Sequence, residues 1–209
     1  MTKYQRYIMK NFGDAFILCG GKSRRMGFDK SMLKIEDDFV IDTMRSKLEE
    51  AFDQVRLCAH DRGKFASFGM NIVEDVHKGN FGPAAAIHAA LSNACSRYVF
   101  VVAVDMPLLD INHINHMKQT LEVMVEKGQN PHALIPKCGE FSEVLYAFYS
   151  VDALGAFEEH LKKQSYKIRD ILAELDVAYM PHEESCSFDP SLKMFTNLNY
   201  VEDLKKIDQ

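Results

Sequence analysis

Short apolar runs alternate along the chain with stretches in which apolar residues return every three or four positions, which predicts strands alternating with helices and hence a parallel sheet with helices on its faces. Residues 15–19 read as the first strand. From Val40 the positions Val40, Ile41, Met44, Leu48 and Phe52 follow helical spacing, and residues 54–59 return to a strand. A short strand over 70–73 ends in Glu74-Asp75, and the alanine-rich stretch 84–94 has high helix propensity. Residues 98–104 are continuously apolar and rich in β-branched side chains, as in a central strand covered on both faces, and the run stops at Asp105. Met106-Pro107 breaks it, and Ile114, Met117, Leu121 and Met124 mark an amphipathic helix. Strands are expected at 133–136 and 144–149 about a bend at Cys138-Gly139-Glu140, with helices at 152–161, 168–175 and 201–207. The polar, irregular segment 183–193 is expected to be a mobile loop.

The fold class that follows is α/β, three layers αβα around a mostly parallel, mixed sheet. With 209 residues and neither an internal repeat nor a linker, a single domain is the economical reading. Its division is expected near residue 110, into a nucleotide-binding half (12–110) and an acceptor half (111–209).

Composition narrows the partners. A net charge of −5 argues against bulk nucleic-acid binding, so a basic cluster inside this chain stands out as local focusing for a small polyanion. The five cysteines have no C-x-x-C spacing, which suggests neither a disulfide framework nor a zinc site and fits a reducing compartment. Met1 to Phe12 interleaves Lys3, Arg6 and Lys10 with apolar positions and builds no signal-peptide core, and nothing later reaches the roughly twenty apolar residues of a membrane span.

The basic cluster is Lys22, Arg24, Arg25 and Lys30, and it directly follows the first strand and the pair Gly20-Gly21. Adjacent glycines let backbone N–H groups close on an anion, while the cations suit a triphosphate. Gly21-Lys22-Ser23 copies the end of a Walker A loop, but the glycine required five positions earlier is Phe16. The dinucleotide fingerprint fails too, since the next glycine after the pair is Gly27. In open α/β sheets ligands sit beyond the carboxyl ends of strands, where Glu74-Asp75 and Asp105 also fall. An aspartate held rigidly after an apolar strand suits Mg²⁺, which takes one or two carboxylates and completes its shell with water and phosphate oxygens. Asp105 could instead cap the following turn or helix.

The residues LCGGKSRRMGFDK at 18–30, with Glu74-Asp75, Gly82-Pro83, Val104-Asp105-Met106-Pro107 and Phe195-Thr196-Asn197-Leu198-Asn199, resemble the molybdenum cofactor guanylyltransferase family (MobA). The related pattern L-x-G-G-x-S-x-R-M-G-x-D-K is matched at every specified position. The resemblance implies a Rossmann-like nucleotidyltransferase fold and transfer of GMP from GTP to molybdopterin, with release of pyrophosphate and Mg²⁺ as cofactor. It implies that Leu18, Cys19, Gly20 and Gly21 contact the nucleotide and that Lys30, assisted by Arg24 or Arg25, neutralises the phosphates. It places Asp75, Gly82 and the position of Cys58 on the guanosine side, Asp105 on the metal, and Asn197 with Asn199 on the pterin side. It further implies a cytoplasmic monomer that touches neither nucleic acid nor membrane and makes transient contacts with molybdopterin-loading proteins and molybdoenzyme chaperones.

Four departures accompany the match. Cys19 stands where alanine is usual, Cys58 where an asparagine is common, Ala84-Ala85-Ala86 where Leu-x-Gly is usual, and a proline common in 143–149 is absent. Transfer of CMP or activation of another phosphate by the same fold stays open on sequence, as does a catalytically silent cofactor-delivery protein.

Overall fold

Strand β1 (Phe12–Leu18) is buried along its whole length, which only a central strand covered on both faces achieves. This computed structural model describes residues 9–19, 34–35, 38–74 and 82–198. After β1 come the two-residue strands β2 (Lys34–Ile35) and β3 (Asp38–Phe39), paired antiparallel. Helix α1 (Val40–Glu49), strand β4 (Gln54–Ala59), the single-turn helix α2 (Arg62–Phe65) and strand β5 (Asn71–Glu74) follow. Helix α3 (Gly82–Ser92) leads to β6 (Tyr98–Ala103) and α4 (Ile111–Glu126). Then come β7 (Ala133–Cys138), β8 (Phe141–Ser142) and β9 (Tyr146–Ser150). Helices α5 (Leu154–Lys162) and α6 (Ile168–Leu172), strand β10 (Val177–Met180) and helix α7 (His182–Cys186) complete the described chain.

The main sheet runs β10-β7-β9-β6-β1-β4-β5, with β8 joined to β7. β1 pairs in parallel with β4 and β6, β4 with β5, and β7 with β10; β9 lies antiparallel between β6 and β7. The expected mixed, mostly parallel sheet is therefore present.

Alternation along each strand divides the core into two layers. Ala15, Ile17, Leu57, Phe100 and Val102 face one side with Met44 and Leu48 of α1 and Met117 and Leu121 of α4. Phe16, Leu18, Val99 and Val101 face the other, with α3, Phe157 and Leu161 of α5 and Ile171 of α6. In α3 every residue from Ala84 to Leu91 is buried, because the helix is enclosed between the sheet and α5. Five alanines on its surface permit that close approach, and this is where Ala84-Ala85-Ala86 stands.

Most expected elements form with boundaries moved by a few residues. β1 starts at Phe12 rather than residue 15, β6 ends at Ala103, and α6 ends at Leu172. The expectation of a loose loop at 183–193 is overturned: it holds most of α7, followed by a 3₁₀ turn at Lys193–Phe195, with Ser185 fully buried and Leu192 nearly so. A polar composition concealed residues fixed by tertiary contact. The helix expected at 201–207 lies outside the described residues.

Candidate functional site at the carboxyl ends of the strands

Strands β1 and β6 lie side by side, yet the chain leaves them in opposite directions, to β4 from one and toward β7 and β9 from the other. Such a divergence opens a crevice at the carboxyl ends of the two strands. Leu18 there pairs with Cys58 of β4 and Ala103 of β6. The ladder continues past the strand ends: the Cys19 N–H donates to the Cys58 carbonyl at 2.8 Å, and the Val104 N–H to the Leu18 carbonyl at 3.2 Å. The rim thus has its backbone groups satisfied and its register locked, so side chains on it are presented by a rigid edge.

Asp105 sits in the turn that follows β6. The Met106 N–H donates to the Ala103 carbonyl at 3.0 Å and closes a four-residue turn with Asp105 in its third position. The helix α4 is capped not by Asp105 but by Asp110, which begins it and accepts the His113 N–H at 3.0 Å. Asp105 is half-buried, and its carbonyl accepts the Leu198 N–H at 2.7 Å. That bond brings the Phe195–Leu198 segment to the rim: Phe195 and Leu198 are buried anchors, and Asn197 between them is exposed.

The other expected site residues separate by side chain. The Leu18 and Cys58 side chains are buried in the layer facing α3, so these residues meet the rim through their backbone. Cys19 is half-buried against the opposite layer. Gly82 opens α3 with φ +64, where a side chain is strained, although among the described residues nothing lies within 4 Å of the position a Cβ would take. The structure therefore brings Leu18, Cys19, Cys58, Asp105 and Asn197 to one edge of the sheet. Gly20, Gly21, Arg24, Arg25, Lys30, Asp75 and Asn199 lie outside the described residues.

Beneath the rim is a flank that sequence reasoning did not find. His113 is fully buried, and its ring meets Tyr146, Phe188 and Phe195 at centroid distances of 5.6, 5.4 and 5.7 Å. Burial holds its pKa down to about 4, outweighing the nearby Asp110 carboxylate, so the ring is neutral at pH 7. The Tyr146 hydroxyl donates to the Asp110 carbonyl at 3.3 Å, and burial lifts its pKa well above the usual value. The signal was available, since His113 directly precedes Ile114 on the predicted apolar face.

Chemically, this edge offers a carboxylate at a central strand end, an exposed amide beside it, and the origin of a glycine-rich cationic sequence next in the chain after Cys19. Residues 15–179 match the family described as MobA-like NTP transferase domain. The chain is 34% identical over 200 residues to a probable molybdenum cofactor guanylyltransferase of Peptoclostridium acidaminophilum, covering 96% of this chain and 90% of that protein. It is 33% identical to the molybdenum cofactor guanylyltransferase of Syntrophotalea carbinolica, with 93% and 90% covered. Among solved structures, the molybdopterin-guanine dinucleotide biosynthesis protein A of Archaeoglobus fulgidus superposes with a TM-score of 0.78 at 29% identity, covering 92% of this chain and 95% of that one.

Proposed function

The chain belongs to the family of MobA-like NTP transferase domains, and on that premise we propose that it transfers GMP from GTP to molybdopterin, giving the guanine dinucleotide form of the cofactor and pyrophosphate. One structural observation carries this reading. Backbone hydrogen bonds of 3.2 and 2.7 Å tie the end of β1 to the turn after β6, and that turn to the Asn197 segment. Leu18, Asp105 and Asn197, to which the resemblance gives nucleotide, metal and acceptor roles, are thereby linked along one edge.

The reaction is an in-line attack by the terminal phosphate oxygen of molybdopterin on the α-phosphorus of GTP. The new P–O bond forms as the bond to the β-phosphate oxygen breaks, and pyrophosphate leaves with the electron pair. A phosphate nucleophile is already ionised at pH 7, so no general base is required of the protein. Its work is to hold two anions together against their repulsion and to neutralise charge on the leaving group. Lys30 carries that neutralisation, with Arg24 or Arg25 assisting, in the sequence that continues from the rim residue Cys19. Gly20 and Gly21 give backbone N–H groups to the nucleotide, with Asp75, Gly82 and the backbone of Cys58 on the guanosine side. Asn197 and Asn199 offer both donors and acceptors to the mixed edge of a pterin.

The residues present fit Mg²⁺. Among the described residues no three His, Cys, Asp or Glu side chains converge as a protein cage. Mg²⁺ asks for less, since one or two carboxylates suffice when phosphates complete the shell, and Asp105 presents a hard oxygen donor on a pinned turn. When bound there, the ion would neutralise phosphate charge as pyrophosphate departs.

Residues 12–110 form the nucleotide half and 111–209 the acceptor half of one catalytic domain. It acts as a cytoplasmic monomer that hands product to molybdoenzyme chaperones by transient contact and binds neither nucleic acid nor membrane. Among the described residues no helix is long and apolar enough to cross a membrane. Among the described residues the large exposed apolar side chains are Val123, Phe141 and Tyr179, and the monomer is checked by light scattering.

The deciding experiment follows pyrophosphate release with GTP and with CTP, each with and without molybdopterin. Release that requires GTP and molybdopterin together supports the assignment. Release only with CTP makes the chain a cytidylyltransferase, and tight GTP binding without turnover makes it a delivery protein.

A further inference from the structure

The arm from α7 to Leu198 crosses the acceptor flank and ends on the carbonyl of Asp105. Two histidines hold it. His113 and His116 are three residues apart on α4 and so share a face of that helix. His113 Nε2 lies 3.1 Å from the Ser185 hydroxyl, and His116 Nε2 donates to the Glu184 carboxylate at 2.5 Å. Phe188, two residues past α7, packs its ring against both imidazoles, at 5.4 Å from His113 and 5.1 Å from His116. Further along, Phe195 sits edge-on to His113 and to Tyr146 at 5.7 and 5.3 Å, two residues before the exposed Asn197.

The arm carries little regular structure of its own, a five-residue helix and one 3₁₀ turn, so its course is set by what it touches. Its contacts with α4 fall on both histidines, one buried and one on the surface: His113 is fully buried, while His116 and Glu184 are 33% and 36% exposed. We propose that His113 and His116 are positioning residues for the acceptor, holding the arm on α4 so that Asn197 stays at the rim beside Asp105. Neither touches the substrates. Both act through the placement of Asn197, so the inference rests on the acceptor role given to Asn197 above.

His116 is the variant to make, because it lies outside the core and its loss should leave the fold intact. The assay is pyrophosphate release by the full chain with GTP, Mg²⁺ and molybdopterin, alongside GTP binding measured by calorimetry. His116→Ala and Glu184→Ala should each raise the KM for molybdopterin on the order of 10-fold, with the Kd for GTP within about 2-fold of the parent. His116→Gln, which keeps a donor toward Glu184, should restore most of that loss. In an Asn197→Ala background, adding His116→Ala should change the KM for molybdopterin no further, since both act through one contact. A general loosening of the structure would instead weaken GTP binding as well and would add to the Asn197 effect. If Asn197→Ala raises the KM for molybdopterin but His116→Ala and Glu184→Ala do not, the positioning role is wrong and the acceptor assignment stands. If Asn197→Ala itself leaves that KM unchanged, the acceptor assignment and the inference resting on it both fail.

Discussion

The two ends of the central sheet use charged residues in opposite ways. At the amino end, Asp14 on β1 is 1% exposed and its carboxylate is fully spent: one oxygen takes Arg56 at 2.7 Å, and the other takes the Cys95 N–H, the Ser96 N–H and the Ser96 hydroxyl at 2.6 to 2.7 Å. Arg56 donates in turn to Gln54, to the Asn93 carbonyl and to Asp14, with its guanidinium 5.2 Å from the Phe16 ring. At the carboxyl end β6 finishes in a turn that holds Asp105 half-buried, and the segment bonded to that turn leaves Asn197 exposed. The amino end closes its charges on one another and locks the ladder, whereas the carboxyl end uses backbone bonds for rigidity and keeps side-chain chemistry at an open edge.

The largest effect should come from breaking the closed end. Asp14→Ala leaves the Arg56 charge buried without its carboxylate and takes the acceptor from the Cys95 and Ser96 backbone N–H groups, while the Ser96 hydroxyl keeps the Tyr98 carbonyl at 3.0 Å, so a loss of about 3–5 kcal/mol is expected. At roughly 2–4 °C per kcal/mol for a chain of this size, melting should fall by on the order of 10 °C. Turnover per folded molecule, measured well below the new midpoint, should be unchanged. A variant that kept its melting temperature but lost activity would invert the comparison.

Next in size is the open end. Asp105→Ala should lower turnover on the order of 10²- to 10³-fold, as for loss of a preorganised charge-stabilising group, while melting moves by less than about 2 °C. Lys30→Ala should cost on the order of 10² or more in turnover by the same reasoning. Steady-state rates set beside calorimetric melting separate these variants from Asp14→Ala. A large melting shift without rate loss for Asp105→Ala would make both ends structural.

This asymmetry explains which features were legible in the sequence. A continuous apolar run that stops at Asp105 announces a buried strand and a residue on its rim, so β6 and the position of Asp105 could be read directly. The Asp14–Arg56 pair could not, because Asp14 sits inside an apolar strand and its partner comes from a strand about 40 residues later. The hint was Arg56 inside the strand expected at 54–59, whereas the first strand, read as 15–19, left Asp14 outside it. The segment 183–193 was misread for a related reason: Ser185 and Leu192 are buried by tertiary contact, Ser185 against His113 of α4, which no local pattern records. Strand β10, four residues at a sheet edge, carries too short an alternation to be distinguished from a loop. The glycine loop was legible as chemistry from its spacing, while its cations lie outside the described residues.

His113 provides a titration of the acceptor flank. Unfolded, its imidazole protonates near 6.5; folded, burial holds the pKa down to about 4. Between those values the unfolded chain binds a proton that the folded chain does not, so stability falls as pH drops from 6.5 toward 4 and this contribution levels off below. The loss attributable to His113 is about 3 kcal/mol. Denaturant unfolding at pH 7 and at pH 4.5 should therefore separate less for His113→Phe, which keeps an aromatic ring among Tyr146, Phe188 and Phe195, than for the parent. Equal pH slopes in the two proteins would mean that His113 is not buried neutral, and the flank would then resemble the solvated edge above it.

The smallest effect tests whether rigidity of the open end matters independently of its charges. Gly82 begins α3 with φ +64, a left-handed conformation that costs a residue with a Cβ roughly 1–2 kcal/mol, while no atom of the described residues within 4 Å would meet the added methyl. Gly82→Ala should therefore destabilise by about 1 kcal/mol through backbone strain alone, a shift of about 2–4 °C in melting. The helix it starts is buried from Ala84 onward between the sheet and α5, so the strain cannot be relieved by moving the helix and must be taken up at the rim. The Kd for GTP should then rise several-fold, with the KM for molybdopterin unaltered, if Gly82 serves the nucleotide side as proposed, since the arm carrying Asn197 approaches from α4. Comparing the two constants in one variant makes the outcome decisive. A change in the acceptor constant alone would place Gly82 on the wrong side of the edge, and unchanged constants with the expected melting loss would make this glycine as purely structural as Asp14.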